Sequence, residues 1–149
     1  MERKIVHVVG TGTIGEPLIG ILCEQKSNLG IDEITFHKHS PLTKDKPKID
    51  NLIAKGARLS VLEDRIDAFK AVGLEPEFTM EEAIARASVV IDCTPGGSGL
   101  KNKEEFYNKY SDKVKGFLAQ GSENGFGKKY ARGINDHVIN SDDQFLQVV

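Results

Sequence analysis

Two cysteines among 149 residues, Cys23 and Cys93, leave no spacing for a disulfide framework or a metal cluster. Both are expected to be packed thiols. Charge of one sign is also lacking: 20 Lys and Arg stand against 22 Asp and Glu, for a net charge of -2 and a pI near 6.1. Such a balance gives no global field for nucleic acid or an anionic membrane surface, so any phosphate affinity must be local. No apolar stretch is long enough to span a bilayer, and Met1-Glu2-Arg3-Lys4 leads straight into a short apolar run without a signal-type hydrophobic region. The expectation is a cytoplasmic protein with neither nucleic acid nor membrane as partner. Sequence repeats and low-complexity tracts are missing, and no Ser-His-Asp or Cys-His pairing can be argued. His7 alternates within an apolar run and is expected in the core, while His137 lies in a polar segment and is expected to be exposed. No catalytic and no metal-binding residue is assigned.

What is present suits one compact domain over residues 1–149, with 39% hydrophobic and 28% charged residues. Ile5-Val6-His7-Val8-Val9 is a near-continuous apolar run ahead of glycines, as in a central parallel strand covered on both faces. From Thr13 to about Lys26, Ile14, Leu18, Ile19, Ile21 and Leu22 recur at helical spacing, with Pro17 in the first turn where a missing amide proton costs little. A strand is predicted from Ile31 to His37, then a polar loop from Ser40 to Lys48, then a short helix with Ile49, Leu52 and Ile53 closed by Gly56. Ala57 to Leu62 alternates as a strand, and Glu63 to Val72 reads as a helix carrying Ile66 and Phe69 and closed by Gly73. Thr79 and Glu82 have capping-box spacing ahead of Ala83, Ile84 and Ala87. Val89 to Thr94 is the next strand, followed by a helix from about Leu100 to Tyr110 and a strand from Val114 to Ala119. An irregular segment then leads to a last strand at Gln144 to Val149.

This alternation predicts an α/β, Rossmann-type doubly wound and mostly parallel sheet with helices on both faces and right-handed crossovers. In such a sheet the ligand lies at the carboxyl ends of the strands, near the point where the strand order reverses. Gly10-Thr11-Gly12-Thr13-Ile14-Gly15 satisfies G-x-G-x-x-G directly after an apolar strand and opening a helix, which is where a dinucleotide's diphosphate is held. Gly10 permits the tight turn, Gly12 keeps side chains away from the diphosphate, and Gly15 allows the helix to pack on the strand. The amides of Thr13, Ile14 and their neighbours then face the anion.

About 20 residues beyond such glycines an acid binds the ribose hydroxyls of NAD. Here the second strand ends in His37-Lys38-His39-Ser40, and Asp32 and Glu33 fall at its opposite end. Lys38 and Ser40 therefore suit a 2′-phosphate, with His39 between them as a further cofactor-binding candidate, and NADP is expected to bind at least as well as NAD. Thr94, Pro95 and Gly96, with Gln120 and Gly121, end two strands of the same layer and are candidates for the cofactor's nicotinamide side. Gly125, Gly127, Lys128 and Lys129 are expected to form a solvated basic loop.

Gly10 to Gly15, Lys38-His39-Ser40-Pro41 and Asp92-Cys93-Thr94-Pro95-Gly96-Gly97-Ser98-Gly99 resemble, in order and spacing, the archaeal type of glyceraldehyde-3-phosphate dehydrogenase. The likeness continues through Phe117-Leu118-Ala119-Gln120-Gly121-Ser122-Glu123, Gly127-Lys128-Lys129-Tyr130 and Gln147-Val148-Val149. It implies an NAD(P)-binding domain of a phosphorylating oxidoreductase of glycolysis and gluconeogenesis, homotetrameric at full length. The family's catalytic Ser-Cys-Asn-Thr segment would follow Val149, so the resemblance implies that the catalytic domain is absent and this chain alone inactive. The apolar ending Phe145-Leu146-Gln147-Val148-Val149 fits a cut inside a larger protein. The family pairs a lysine and a threonine with cofactor phosphate; Lys38 matches, whereas His39 replaces the threonine. Two other functions share the fold pattern: the cofactor domain of another enzyme, such as an aspartate-semialdehyde dehydrogenase or a dihydrodipicolinate reductase, and a stand-alone nucleotide sensor.

Overall fold

Apolar residues with almost no polar interruption put strand β1 at Ile5–Val9 in the middle of the sheet of the computed structural model, which describes all of residues 1–149. The chain continues through α1 (Gly15–Gln25), β2 (Glu33–His37), α2 (Lys46–Ala54), β3 (Arg58–Val61) and α3 (Ile66–Ala71). It then forms β4 (Phe78–Thr79), α4 (Met80–Arg86), β5 (Val89–Asp92), α5 (Ser98–Glu105), β6 (Gly116–Ala119), β7 (Lys128–Tyr130) and β8 (Phe145–Val148). All pairings are parallel, in the order β4-β3-β2-β1-β5-β6-β8-β7. The order reverses between β1 and β5, so the crevice over their carboxyl ends is the switch point. No helix is long and apolar enough to cross a membrane.

The two faces of the sheet bury separate cores. Val8, Ile34, Phe36 and Leu59 pack with Ile19 and Leu22 of α1 and with Ile49 and Leu52 of α2. Val9, Val90 and Phe117 pack with Met80 and Ile84 of α4 and with Tyr107. Full burial of a side chain of this size contributes about 1.5–3 kcal/mol, so helices this short are held by their apolar faces more than by intrinsic propensity. The capping box of α4 is complete: Glu82 N donates to Thr79 Oγ1 at 3.2 Å, and Thr79 N donates to Glu82 Oε2 at 2.8 Å.

The structure corrects several expected elements. Glu63 to Val72 is a 3-10 turn at Glu63–Arg65 followed by α3, and the helix expected from Leu100 to Tyr110 starts at Ser98, breaks at Phe106 and continues as a 3-10 turn at Tyr107–Tyr110. The expected basic loop is instead edge strand β7, where Lys128 donates to Asp143 at 2.7 Å and to the Val138 carbonyl at 2.9 Å. Gly127 permits this pairing, because a Cβ there would lie 2.1 Å from the Phe145 carbonyl oxygen. Strand β4 was also not anticipated; Phe78 lies under the guanidinium groups of Arg58 and Arg86, at 4.6 and 4.3 Å.

His7 is fully buried, as expected, with Nδ1 2.7 Å from Thr35 Oγ1 on β2. His37, nearly as buried, has Ser60 on β3 as its neighbour. Burial foremost, and for His7 the nearby His37, holds both imidazoles down to a pKa of about 3. The unfolded chain therefore binds protons between about pH 6.5 and 3 that the folded chain refuses, and stability falls as pH falls through that window. From about pH 7 to about pH 5, where most carboxylates are still ionised in both states, the expected loss is about 2 kcal/mol per histidine. Urea unfolding midpoints at the two pH values measure it, and His7→Gln is expected to remove about half of the pH dependence.

Candidate functional site

The amino end of α1 is uncapped. Its boundary residue is Ile14, which offers no side-chain acceptor, and no amide from Thr11 to Ile14 donates to a protein group. A helix leaves its first N–H groups without internal partners, and an anion placed there meets both those donors and the positive end of the helix dipole. Gly10 makes the approach possible: its φ of +102° suits glycine, and its amide donates to the His37 carbonyl at 3.2 Å, tying the carboxyl ends of β1 and β2. Nothing lies within 4 Å of where a Cβ on Gly12 would point, so that face of the turn is open. Gly15 is the reverse case, since its Cβ would fall 2.0 Å from the Gly10 carbonyl oxygen.

Over this turn opens a cleft of about 550 Å³ lined by Gly10 to Ile14, Lys38, His39, Leu42, Lys44, Asp45, Lys48, Cys93, Thr94, Pro95 and Gln120. Its volume falls in the ordinary range for small-molecule sites, about 300–1,000 Å³. Of the residues singled out in the sequence, Gly10, Gly12, Thr13, Ile14, Lys38, His39, Thr94, Pro95 and Gln120 meet there, while Gly15, Ser40, Gly96 and Gly121 lie outside the lining. A second cavity of about 380 Å³ adjoins it, sharing His39, Thr94 and Pro95 and reaching His37, Leu62 and Met80.

Asp32 and Glu33 are at the other end of the sheet. Glu33, almost fully buried, is held by Arg86 at 2.8 Å, Arg3 at 3.0 Å and Arg58 at 3.1 Å; burial raises its pKa, but the three guanidiniums outweigh it and the net shift is down. The acid that β2 fails to supply in the cleft comes from elsewhere. Asp45 closes the 3-10 turn Thr43–Asp45 ahead of α2, and its Oδ2 lies 2.9 Å from Lys38 Nζ. Lys48, one turn into α2, donates to the Thr11 carbonyl at 2.8 Å and so braces the glycine turn. The hydrogen bond from Lys38 is the main influence holding the Asp45 carboxyl below its usual range. Thr11, Leu42, Lys44, Asp45 and Lys48 escaped the sequence reading. The three-residue spacing of Asp45 and Lys48 across a helix start was the available signal for two of them.

The opposite wall is fixed by two buried carboxylates. Asp92, at the end of β5, accepts from the Thr94 amide at 2.9 Å, Asn102 Nδ2 at 3.0 Å and the Tyr107 hydroxyl at 2.5 Å, as well as from the Thr94 hydroxyl. Glu123 accepts from the amides of Gly97 at 2.9 Å and Gly99 at 2.8 Å, capping α5. Gln120 Nε2 donates to the Thr94 carbonyl at 3.1 Å. Cys93 is buried, and burial with the adjacent Asp92 pushes its thiol up to about 12, so it stays protonated at neutral pH and contributes packing to the cleft floor.

The residues fit a dinucleotide: bare amides for a diphosphate, a cationic wall after β2 and a hydrogen-bonded wall after β5. No protein-family model matches the chain. Among curated proteins it is similar to several glyceraldehyde-3-phosphate dehydrogenases. It is 34% identical over 120 residues to that of Pyrobaculum arsenaticum, covering 79% of this chain and 31% of the relative. It is 33% identical over 125 residues to that of Methanococcoides burtonii, covering 83% and 33%, and 34% identical over 121 residues to that of Methanobrevibacter smithii, covering 80% and 33%. The chain thus spans about a third of the length of the curated relatives it matches.

Proposed function

We propose that this chain is the nicotinamide-dinucleotide-binding domain of a phosphorylating glyceraldehyde-3-phosphate dehydrogenase, with the reacting groups on sequence beyond Val149. The uncapped start of α1, set at the switch point behind a glycine turn, carries this reading. Similarity to enzymes of that name over about four-fifths of the chain supports the choice of reaction. The cofactor, when bound, supplies a ring that accepts hydride from the aldehyde carbon. This chain's part is to bind and orient it: the amides from Thr11 to Ile14 hold the diphosphate, Lys38 and His39 meet the adenosine ribose, and Thr94, Pro95 and Gln120 flank the nicotinamide side. Three lysines against one aspartate in the cleft favour phosphate, so NADP binds at least as well as NAD. The full-length protein is a cytoplasmic homotetramer, and this chain alone is inactive.

Calorimetric titration of NAD and NADP into the chain tests the binding half, with uptake of both expected. Turnover of glyceraldehyde 3-phosphate by the protein extended past Val149, beside none from residues 1–149, tests the rest. An extended protein that binds the dinucleotide yet leaves this substrate untouched would overturn the dehydrogenase assignment.

A further inference from the structure

We propose that Asp45 sets the cofactor preference of the cleft by competing with a 2′-phosphate for Lys38. The inference rests on the dinucleotide reading above and deepens it. Lys38 directly follows β2, where the adenosine ribose of a dinucleotide lies in a sheet of this order. Its ammonium is already engaged, 2.9 Å from Asp45 Oδ2, with 13% of the Lys38 side chain and 18% of the Asp45 side chain exposed. Lys48 Nζ stands 4.0 Å from the other carboxylate oxygen.

A 2′-phosphate entering this corner must draw Lys38 away from Asp45 or sit within a few ångströms of a carboxylate. Like charges at that range, partly shielded from water, repel by an amount that matters to affinity. The 2′-hydroxyl of NAD carries no charge and can donate to the same carboxylate, so Asp45 opposes one cofactor and accepts the other. The carboxylate also holds the lysine stem across the cleft, so Asp45 limits NADP selectivity at the residue that creates it.

Asp45→Asn keeps the shape and removes the charge. Titrating NAD and NADP into the wild-type chain and the variant, the expected result is NADP affinity tightened about tenfold and NAD affinity changed by less than about threefold. The gain should shrink as salt is raised. An unchanged ratio of the two dissociation constants, or equal changes in both, would overturn the proposal. Should Asp45→Asn not fold, as thermal melting would reveal, Lys38→Met provides the second test: it removes the closer of the two cations beside Asp45 and is expected to weaken NADP at least tenfold with NAD nearly unaffected, and equal losses for both count against the proposal. A wild-type chain that takes up neither dinucleotide would instead defeat the functional reading itself.

Discussion

Gly15→Ala is expected to cost about 3 kcal/mol or more of folding stability, enough to unfold much of the protein under ordinary conditions. The added methyl group would sit 2.0 Å from the Gly10 carbonyl oxygen, 2.7 Å from its carbon and 3.3 Å from Cys93 Cβ. Backbone stands on both sides of the closest contact, so no rotamer change relieves it, and α1 must move off β1. That movement pulls Ile19 and Leu22 away from Val8 and Phe36, thinning the larger of the two cores. Urea denaturation of the variant measures the loss, and a midpoint matching that of the wild type would disprove so tight a contact. Gly12→Ala is the control: its methyl group meets nothing within 4 Å, and stability should stay within about 0.5 kcal/mol.

Gly12→Val should reverse that pattern, leaving the fold intact and weakening dinucleotide binding by about a hundredfold, roughly 3 kcal/mol. The open face at Gly12 is the face through which an anion must reach the amides of Thr11 to Ile14, and a branched side chain occupies it. NAD and NADP have the diphosphate in common, so calorimetry should find both weakened alike. This separates the effect from that at Asp45, where the two cofactors diverge. Undiminished uptake by the valine variant would remove the diphosphate from this turn.

The glycine turn was legible in the sequence because its requirements are local: a strand, a positive φ at Gly10 and a close helix are all encoded within about a dozen residues. The capping box at Thr79 and Glu82 was legible for the same reason. Strand β7 was not, since Lys128-Lys129-Tyr130 has no apolar alternation and exists by pairing with Leu146 to Val148, far along the chain. The Lys38–Asp45 pair was hidden differently. Each residue looks like an ordinary loop charge, and only the turn into α2 brings Asp45 back over the end of β2. Likewise, the sequence placed Ser40, Gly96 and Gly121 in the loops that border the cleft, while which residues of those loops reach its lining depends on the packed structure.

Asp92 and Glu123 together act as a double latch on the segment Thr94 to Gly99. Swinging that segment outward would strip the amides of Gly97 and Gly99 from Glu123 and the Thr94 amide and hydroxyl from Asp92, leaving two buried carboxylates short of partners. A cleft wall fastened in this way has little freedom left to lose when a guest arrives. The adjustment on binding therefore falls to the long lysine stems across from it.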